Sequence, residues 1–255
     1  MKSLFPYAGG KIHLIRYIDQ IYKQSNKTAF IDVFGGSGKV LMNIDSRNKV
    51  YNDIDNSLVN IFETLRNHPD ILRGKFEYSL NSRELFYEYK NITDDSAENA
   101  FRRVYTYLMP FAGKGNHYGY SIKSRMNKMA NARKNIDDIY NEVKYWTIEN
   151  LDYKDLIKRY DSEDSFFYLD PPYYKIKFYR HNFTENDFYE LKDALDGIQG
   201  KYLLSINSND FILNLFGEPD MKIEMRNDLV NNKCIMDSKR YECCAETGII
   251  IYLNK

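Results

Sequence analysis

Cysteine is scarce in this sequence: three residues in 255, Cys234, Cys243 and Cys244, two of them adjacent. They offer neither a disulfide framework nor paired zinc spacing, which fits a reducing cytoplasm. Net charge is missing as well, since 36 basic residues balance 36 acidic ones, so the overall charge gives no hint of a polyanionic partner. No apolar run, Gly248-Ile249-Ile250-Ile251-Tyr252-Leu253 included, approaches the roughly 20 residues that cross a bilayer. Met1-Lys2-Ser3-Leu4-Phe5-Pro6 lacks the apolar core and cleavage site of a secretory signal. The histidines, at 13, 68, 117 and 181, share no ligand spacing, so no metal site is expected and they read as incidental. No repeat or low-complexity tract is visible, and nothing implies an obligatory protein partner. What remains is ordinary globular composition, 43% hydrophobic and 28% charged, long enough for one generous domain or a domain carrying an insertion.

Short β-branched and aromatic runs alternate with helical periodicity over two stretches. In the first, 28–34 reads as a buried strand, 35–38 as a tight glycine turn, and 39–44 as the beginning of a helix. A second strand at 49–52 precedes a helix over 57–66, with Leu58, Ile61, Phe62 and Leu65 on one face. In the second stretch, strands are expected at 145–148, 165–169, 202–206, 221–225 and 248–253, with helices at 153–160, 184–195 and 210–215. This alternation argues for an α/β fold, a mainly parallel sheet covered on both faces. Between 67 and 144 it stops. That stretch reads as a mostly helical inserted domain, the remainder, 1–66 and 145–255, forming the main one.

Three constellations carry chemistry. Asp32-Val33-Phe34-Gly35-Gly36-Ser37-Gly38 is a strand running into a glycine turn, where the backbone lets a ligand approach closely. It is not a phosphate-binding P-loop, because Val33 and Val40 stand where that motif needs Gly and Ser or Thr. Asn52-Asp53-Ile54-Asp55 ends the second strand, and Asp53 lies 18 residues after Gly35. An acid so placed accepts hydrogen bonds from ribose hydroxyls, whereas Asp55 and Asn56 are better explained as caps of the next helix. Asp170-Pro171-Pro172-Tyr173 follows an apolar strand. The two prolines fix an extended chain and expose carbonyl acceptors between a carboxylate and an aromatic face. Such a site accepts two hydrogen bonds from an exocyclic amino group and stacks the base that carries it.

Taken together these motifs resemble the amino-group DNA methyltransferases, and specifically their Dam-like (D12 class) adenine-N6 branch. Asp170–Tyr173 looks like the catalytic motif, Phe5-Pro6-Tyr7-Ala8-Gly9-Gly10-Lys11 the N-terminal motif, and Ser205-Ile206-Asn207-Ser208-Asn209 a later strand. The order is that of the α group, with cofactor motifs first, target-recognition insertion next and catalytic motif last. The resemblance implies a Rossmann-like S-adenosylmethionine-dependent methyltransferase sheet with an inserted, mostly helical target-recognition domain, acting on double-stranded DNA. It implies cofactor contacts at Tyr7, Lys11, Phe34, Gly35, Asp53 and Asp170, with Asn150 or Leu151 near the cofactor adenine. It implies that Asp170 and the Pro171 carbonyl, held by Pro172, bind the target amino group while Tyr173 stacks on the base. The middle segment departs from the family, lacking an Asn-Gly pair before an Arg-containing hairpin, so methylation is implied but a GATC target is not.

Residues 101–134 contain Arg102, Arg103, Lys114, Lys123, Arg125, Lys128, Arg133 and Lys134 and no acid. With Tyr105, Tyr107, Phe111, Tyr118 and Tyr120 interleaved, the run reads as a DNA-docking surface, with Arg102, Lys114, Lys123, Arg125 and Lys128 as phosphate contacts. The expected reaction is methylation of N6 of a flipped-out adenine, in the cytoplasm of a prokaryotic or phage-infected cell. The alternatives are a cytosine-N4 enzyme, an RNA or protein amide methyltransferase, and a catalytically silent DNA-binding relic. A cytosine-C5 enzyme is disfavoured because no cysteine follows the proline motif.

Overall fold

The structure is a computed structural model that describes residues 2–7, 9–92, 94–110, 117–119, 128–176, 180–223 and 249–254, with only the backbone described at Lys128 and Ile223. Its centre is a seven-stranded sheet. The strands are β1 (Ala29–Asp32), β2 (Asn48–Asn52), β3 (Thr147–Glu149), β4 (Ser165–Leu169), β5 (Lys201–Asn207), β6 (Met221–Ile223) and β7 (Ile249–Leu253), in the order β3-β2-β1-β4-β5-β7-β6. β1 to β5 run parallel, and β7 runs antiparallel between β5 and β6. Central parallel strands are buried on both faces and so read as continuous apolar runs rather than alternating ones. β4, Ser-Phe-Phe-Tyr-Leu, is buried at every position.

Successive side chains still point to opposite faces. Phe30, Phe166, Tyr168 and Leu203 enter one core cluster, Ile31, Phe167, Leu169 and Leu204 the other. The second is closed by α7 (Tyr153–Tyr160), α8 (Glu185–Asp196) and α9 (Asp210–Phe216), through Leu156, Leu191 and Ile212. The first is covered by α1 (Ile15–Gln24), whose Tyr22 ring meets Phe30 and Phe166 edge-on, and by α2 (Asn56–Asn67). Behind α2 lie α3 (Pro69–Tyr78), α4 (Arg83–Glu88), α5 (Ala97–Leu108) and α6 (Lys128–Val143), whose Leu72, Phe86, Phe101 and Ile136 continue the same buried cluster. Helix starts are capped by short polar side chains: Asp55 accepts from the Ser57 amide, and Thr184 and Asp187 form a reciprocal capping box, each cap contributing about 1 kcal/mol.

Two sequence expectations are corrected. The helix expected over 39–44 is a single 3-10 turn, Leu41–Asn43, because Gly38 enters with φ 64° and Ile44 leaves extended. The strand expected at 145–148 begins only at Thr147. The Trp146 amide still bonds to Val143 at the end of α6, and its ring is buried against Tyr51 and Phe62. The cysteines and residues 224–225 of the expected sixth strand lie outside the described residues. None of the described helices is long and apolar enough to cross a membrane.

Candidate active site

Strand order reverses between β1 and β4, which carry chain in opposite directions across the sheet. A crevice therefore opens beyond their carboxyl ends, where open α/β sheets bind ligands. The cleft found there contains about 720 Å³ of non-atom space, solvent at its mouth included. Tyr7, Lys11, Phe34, Gly35, Asp53, Asp170 and Pro172, expected from sequence, all line it. Asp32, Ser37, Lys39, Arg180 and His181 line it too.

At the end of β1 the chain turns through Gly36 (φ 51°) and Gly38 (φ 64°), a left-handed backbone that glycine adopts without strain. Gly35 is required for a different reason: a Cβ there would overlap the ring of Tyr51. At the end of β2, Asn52 is buried and its amide ties three strand ends together. Its Nδ2 donates to the carbonyls of Val33 (2.9 Å) and Leu151 (3.1 Å), and its Oδ1 accepts from the Leu151 amide (2.9 Å). Asp53 beside it accepts from the Gly36 amide at Oδ2 (2.9 Å) and from the Asp55 amide at Oδ1 (2.8 Å). Burial outweighs these bonds and pushes its carboxyl up to about 6. Asn150 donates from Nδ2 to the Asp53 carbonyl (2.7 Å), bracing that residue from the β3 side.

At the end of β4, Asp170 receives both bonds of the Lys11 ammonium, at 2.7 and 2.6 Å, and a third from Ser205 Oγ at 3.1 Å. Burial raises its carboxyl above the ordinary carboxylate range, and Lys11 and Ser205 pull it back. Lys11 also donates to the Gly9 carbonyl (3.0 Å) and sits 4.8 Å from the centroid of the Tyr173 ring. The loop after the prolines is anchored to β5, since Asn207 accepts from the Tyr174 amide (3.0 Å) and donates to its carbonyl (3.3 Å). Tyr174 stacks on Phe211 with centroids 4.5 Å apart. Asp32, fully buried between these acids, has an Oδ1 without a hydrogen-bond partner. Burial, then the charges of Asp170 and Asp53, raise its carboxyl well above the usual range.

The cleft reaches the middle segment through aromatic rings. Tyr107 of α5 stacks on Phe5 at 5.0 Å and meets Tyr7 edge-on at 5.4 Å. The basic residues expected on DNA are placed less uniformly. Arg102 lies on α5 with Nε 3.3 Å from Glu98 and its guanidinium 5.0 Å from the Tyr89 centroid. Lys128 opens α6, while Lys114, Lys123, Arg125 and most of the glycine-rich segment 111–120 lie outside the described residues. Among the described residues no group of three His, Cys, Asp or Glu is arranged to hold a metal.

Sequence reasoning gives Ser37, Lys39, Arg180 and His181 no role. Ser37 and Lys39 sit within and just after the glycine turn, a local signal that could have found them. Arg180 and His181 have none: they belong to no motif and meet the cleft only in the folded chain.

A family model for the D12 class N6 adenine-specific DNA methyltransferases matches residues 7–232. The chain is similar to Modification methylase StsI of Streptococcus sanguinis, 21% identical over 201 residues, and to Type II methyltransferase M.FokI of Planomicrobium okeanokoites, 21% identical over 198. Each alignment covers 68% of this chain and 29% of the relative, so the chain spans under a third of the length of these curated relatives. With its model running from Tyr7 through the glycine turn, Asp53 and the proline motif, the chain belongs to the D12 class N6 adenine-specific DNA methyltransferase family.

Proposed function

We propose that this chain methylates N6 of an adenine flipped out of double-stranded DNA, with S-adenosylmethionine as methyl donor. The observation that carries the reading is the meeting of three strand ends in one cleft, with the glycine turn after β1, Asp53 after β2 and Asp170 and Pro172 after β4. The cleft fits the donor chemically. Its buried acids favour a cation, Asp32 keeps an unpaired oxygen, and Asp53 keeps lone pairs beyond the two amides it accepts. When bound, the cofactor supplies an electrophilic methyl group on a positively charged sulfur.

In this reading Asp53 accepts the ribose hydroxyls, Asn150 and Leu151 border the adenine, and Phe34, Gly35, Tyr7 and Lys11 enclose the methionine end. Asp170 and the Pro171 carbonyl accept the two amino protons of the target base, and Tyr173 stacks on its ring. Delocalisation into the ring makes that nitrogen a weak nucleophile. Two fixed acceptors hold it pyramidal with its lone pair aimed along the transfer direction, so the residues act mainly by position and charge. Asp170 is the nearest acceptor for the proton that the nitrogen sheds afterwards. Extruding the base costs a few kcal/mol of stacking and pairing. Residues 67–144 serve as the target-recognition part, with Lys114, Lys123, Arg125 and Lys128 gripping phosphates and Arg102 held by Glu98 and the Tyr89 ring. The rest of the chain, 1–66 and 145–255, is the catalytic part. The setting is the cytoplasm of a prokaryotic or phage-infected cell, in a restriction-modification role; the relatives are named a modification methylase and a type II methyltransferase.

The test is direct. Purified chain, methyl-labelled S-adenosylmethionine and unmethylated DNA are incubated, and the DNA is digested to nucleosides. Label in N6-methyldeoxyadenosine is expected. Label in N4-methyldeoxycytidine would transfer the reading to the other amino base, and no label with tight cofactor binding would mark a silent relic.

A further inference from the structure

The face of β5 that carries Leu203 into the apolar core turns polar over its last residues, Ser205 and Asn207. Both are buried, at 0% and 3% exposure, and a buried polar side chain is costly unless it is hydrogen-bonded. Their partners are the two ends of the proline-motif loop. Ser205 Oγ donates to Asp170 (3.1 Å), while Asn207 accepts from the Tyr174 amide (3.0 Å) and donates to its carbonyl (3.3 Å). Between these holds the backbone has little else to fix it. The ladder of β4 on β5 ends at Leu169 and Leu204, and Pro171 and Pro172 have no N–H to continue it. An asparagine amide offers a donor and an acceptor side by side, as the peptide of a neighbouring strand would.

The hold on Tyr174 works against a strained turn. The Ile176 amide bonds to the Tyr173 carbonyl at 3.1 Å, closing a turn over 173–176 whose third residue, Lys175, has φ 61°. Glycine or asparagine is usual at such a position, and a lysine there is strained. Strain of this kind persists only where the surroundings fix the chain. Here they fix the preceding residue in three ways. Asn207 pairs with the Tyr174 main chain, Phe211 stacks on its ring at 4.5 Å, and Glu185 accepts from its hydroxyl at 2.5 Å. Tyr173, whose ring is read as stacking on the target base, stands directly before that peg.

We propose that Asn207 is a positioning residue for methyl transfer, one that holds Tyr174 so that the Pro171 carbonyl and the Tyr173 ring stand at fixed places beside Asp170. The assignment rests on the reading of the proline motif given above. Asn207 touches neither base nor cofactor in that reading and acts only through the loop. Ser205 fixes the near end of the segment at its carboxylate and Asn207 the far end at its turn. Without the far hold, the turn at Lys175 relaxes and the acceptor and the stacking ring drift from the line of transfer.

The experiment measures single-turnover methyl transfer at saturating S-adenosylmethionine and saturating unmethylated DNA, with the affinities for both titrated separately. Asn207→Leu is close in size but cannot pair with a peptide. Its transfer rate should fall about 10- to 100-fold, the scale of loss when a reacting group is misplaced by about 1 Å. Its affinities for cofactor and DNA should stay close to those of wild type, which also reports that it is folded. Asn207→Ser, which keeps one polar group, should lose less rate and serves the same test if leucine unfolds the chain. Lys175→Gly alone should transfer as wild type does. Combined with Asn207→Leu it should recover much of the lost rate, because glycine adopts the left-handed turn without strain. A wild-type rate in Asn207→Leu would overturn the proposal. So would a rate that falls only in step with cofactor affinity, or a double variant as slow as Asn207→Leu, since Asn207 would then be a structural residue. Wild-type chain that moves no methyl group would instead remove the reading of the site itself, and the proposal with it.

Discussion

Lys11 and Asp170, 159 residues apart in the chain, form a two-pronged ion pair in which one ammonium lies 2.7 and 2.6 Å from the two carboxylate oxygens. The pair joins the N-terminal motif to the end of β4 and decides the charge of the acid proposed to hold the target amino group. Burial pushes the Asp170 carboxyl up, and the charge and hydrogen bonds of Lys11 pull it down.

Lys11→Met removes that restraint, so the Asp170 carboxyl should rise further. The acceptor role needs the ionised form, which is lost as pH falls through the folded-state value. The acid limb of the methyl-transfer profile should therefore move to higher pH, with activity at pH 7 reduced by about tenfold or more, or about 1.4 kcal/mol in the barrier. An acid limb that stays in place in the variant would show that Lys11 does not tune Asp170. Asp170→Ala, by contrast, should abolish transfer at every pH with the fold intact.

Asp53 supplies a second pH signature. Its carboxyl is pushed up to about 6 by burial, and ribose hydroxyls donate best to the ionised form. Cofactor affinity should be level above pH 7 and weaken as pH falls through 6, by up to about tenfold per unit. Asp53→Ala should lose roughly 10- to 100-fold in affinity and the pH dependence with it. Titration of S-adenosylhomocysteine from pH 5 to 8 measures both. A pH-dependent affinity that survives in the variant would place the ribose elsewhere.

Asp32 should show its effect in stability. Burial and the neighbouring charges of Asp170 and Asp53 raise its carboxyl well above the ordinary value. An acid raised on folding gives its stability below the unfolded value, about pH 4, and loses it as pH rises through the folded value. Asparagine never ionises and keeps the shape of the acid it replaces. Asp32→Asn should thus unfold at higher denaturant than wild type at pH 7.5, the gap closing near pH 4. A gap that is absent at pH 7.5, or that persists unchanged at pH 4, would contradict an acid held above its ordinary value.

Gly35→Ala tests the turn. The added methyl would overlap the Tyr51 ring, which is fully buried and tied through its hydroxyl to the Gly36 carbonyl at 2.8 Å. Overpacking of this kind costs about 1–3 kcal/mol. Thermal unfolding should show that loss, and displacement of the loop should weaken cofactor binding in parallel. Unchanged values in both would mean that the ring moves freely aside.

Parts of this arrangement are legible in the sequence because they are local. The run Ser165–Leu169 and the helix Tyr153–Tyr160 have the expected bounds, since an aromatic and apolar run and an Asp152 cap announce them. Other parts depend on backbone angles or partners that no window contains. Gly38 and Ile44 cut the expected helix to one turn. Helix α1 is absent from the sequence reading although Ile15, Ile18 and Tyr22 carry helical spacing. Asp53, the glycine turn and the proline motif are each recognisable, but the Lys11–Asp170 pair exists only once the N-terminal segment lies against the end of β4. The basic run is acid-free only because its window begins at residue 101. Glu98, one helical turn before Arg102, and Glu77, 56 residues before Arg133, supply the partners.

That difference separates two kinds of basic residue and yields the last prediction. Arg102→Ala removes the Glu98 ion pair and the packing against the Tyr89 ring, so it should cost about 0.5–1 kcal/mol of stability and leave the salt dependence of DNA binding unchanged. Changing Lys123, Arg125 and Lys128 together to Ala should do the opposite. If they grip phosphates, affinity should fall alike for all DNA sequences, and the slope of log K against log salt should flatten by about one for each phosphate no longer held. Cofactor affinity should not move, because the cofactor motifs lie on the sheet. If the triple variant kept its affinity and slope but methylated a relaxed set of sites, these residues would be base readers. If neither binding nor sequence preference moved, the run is a solvated face and the docking surface must be sought elsewhere.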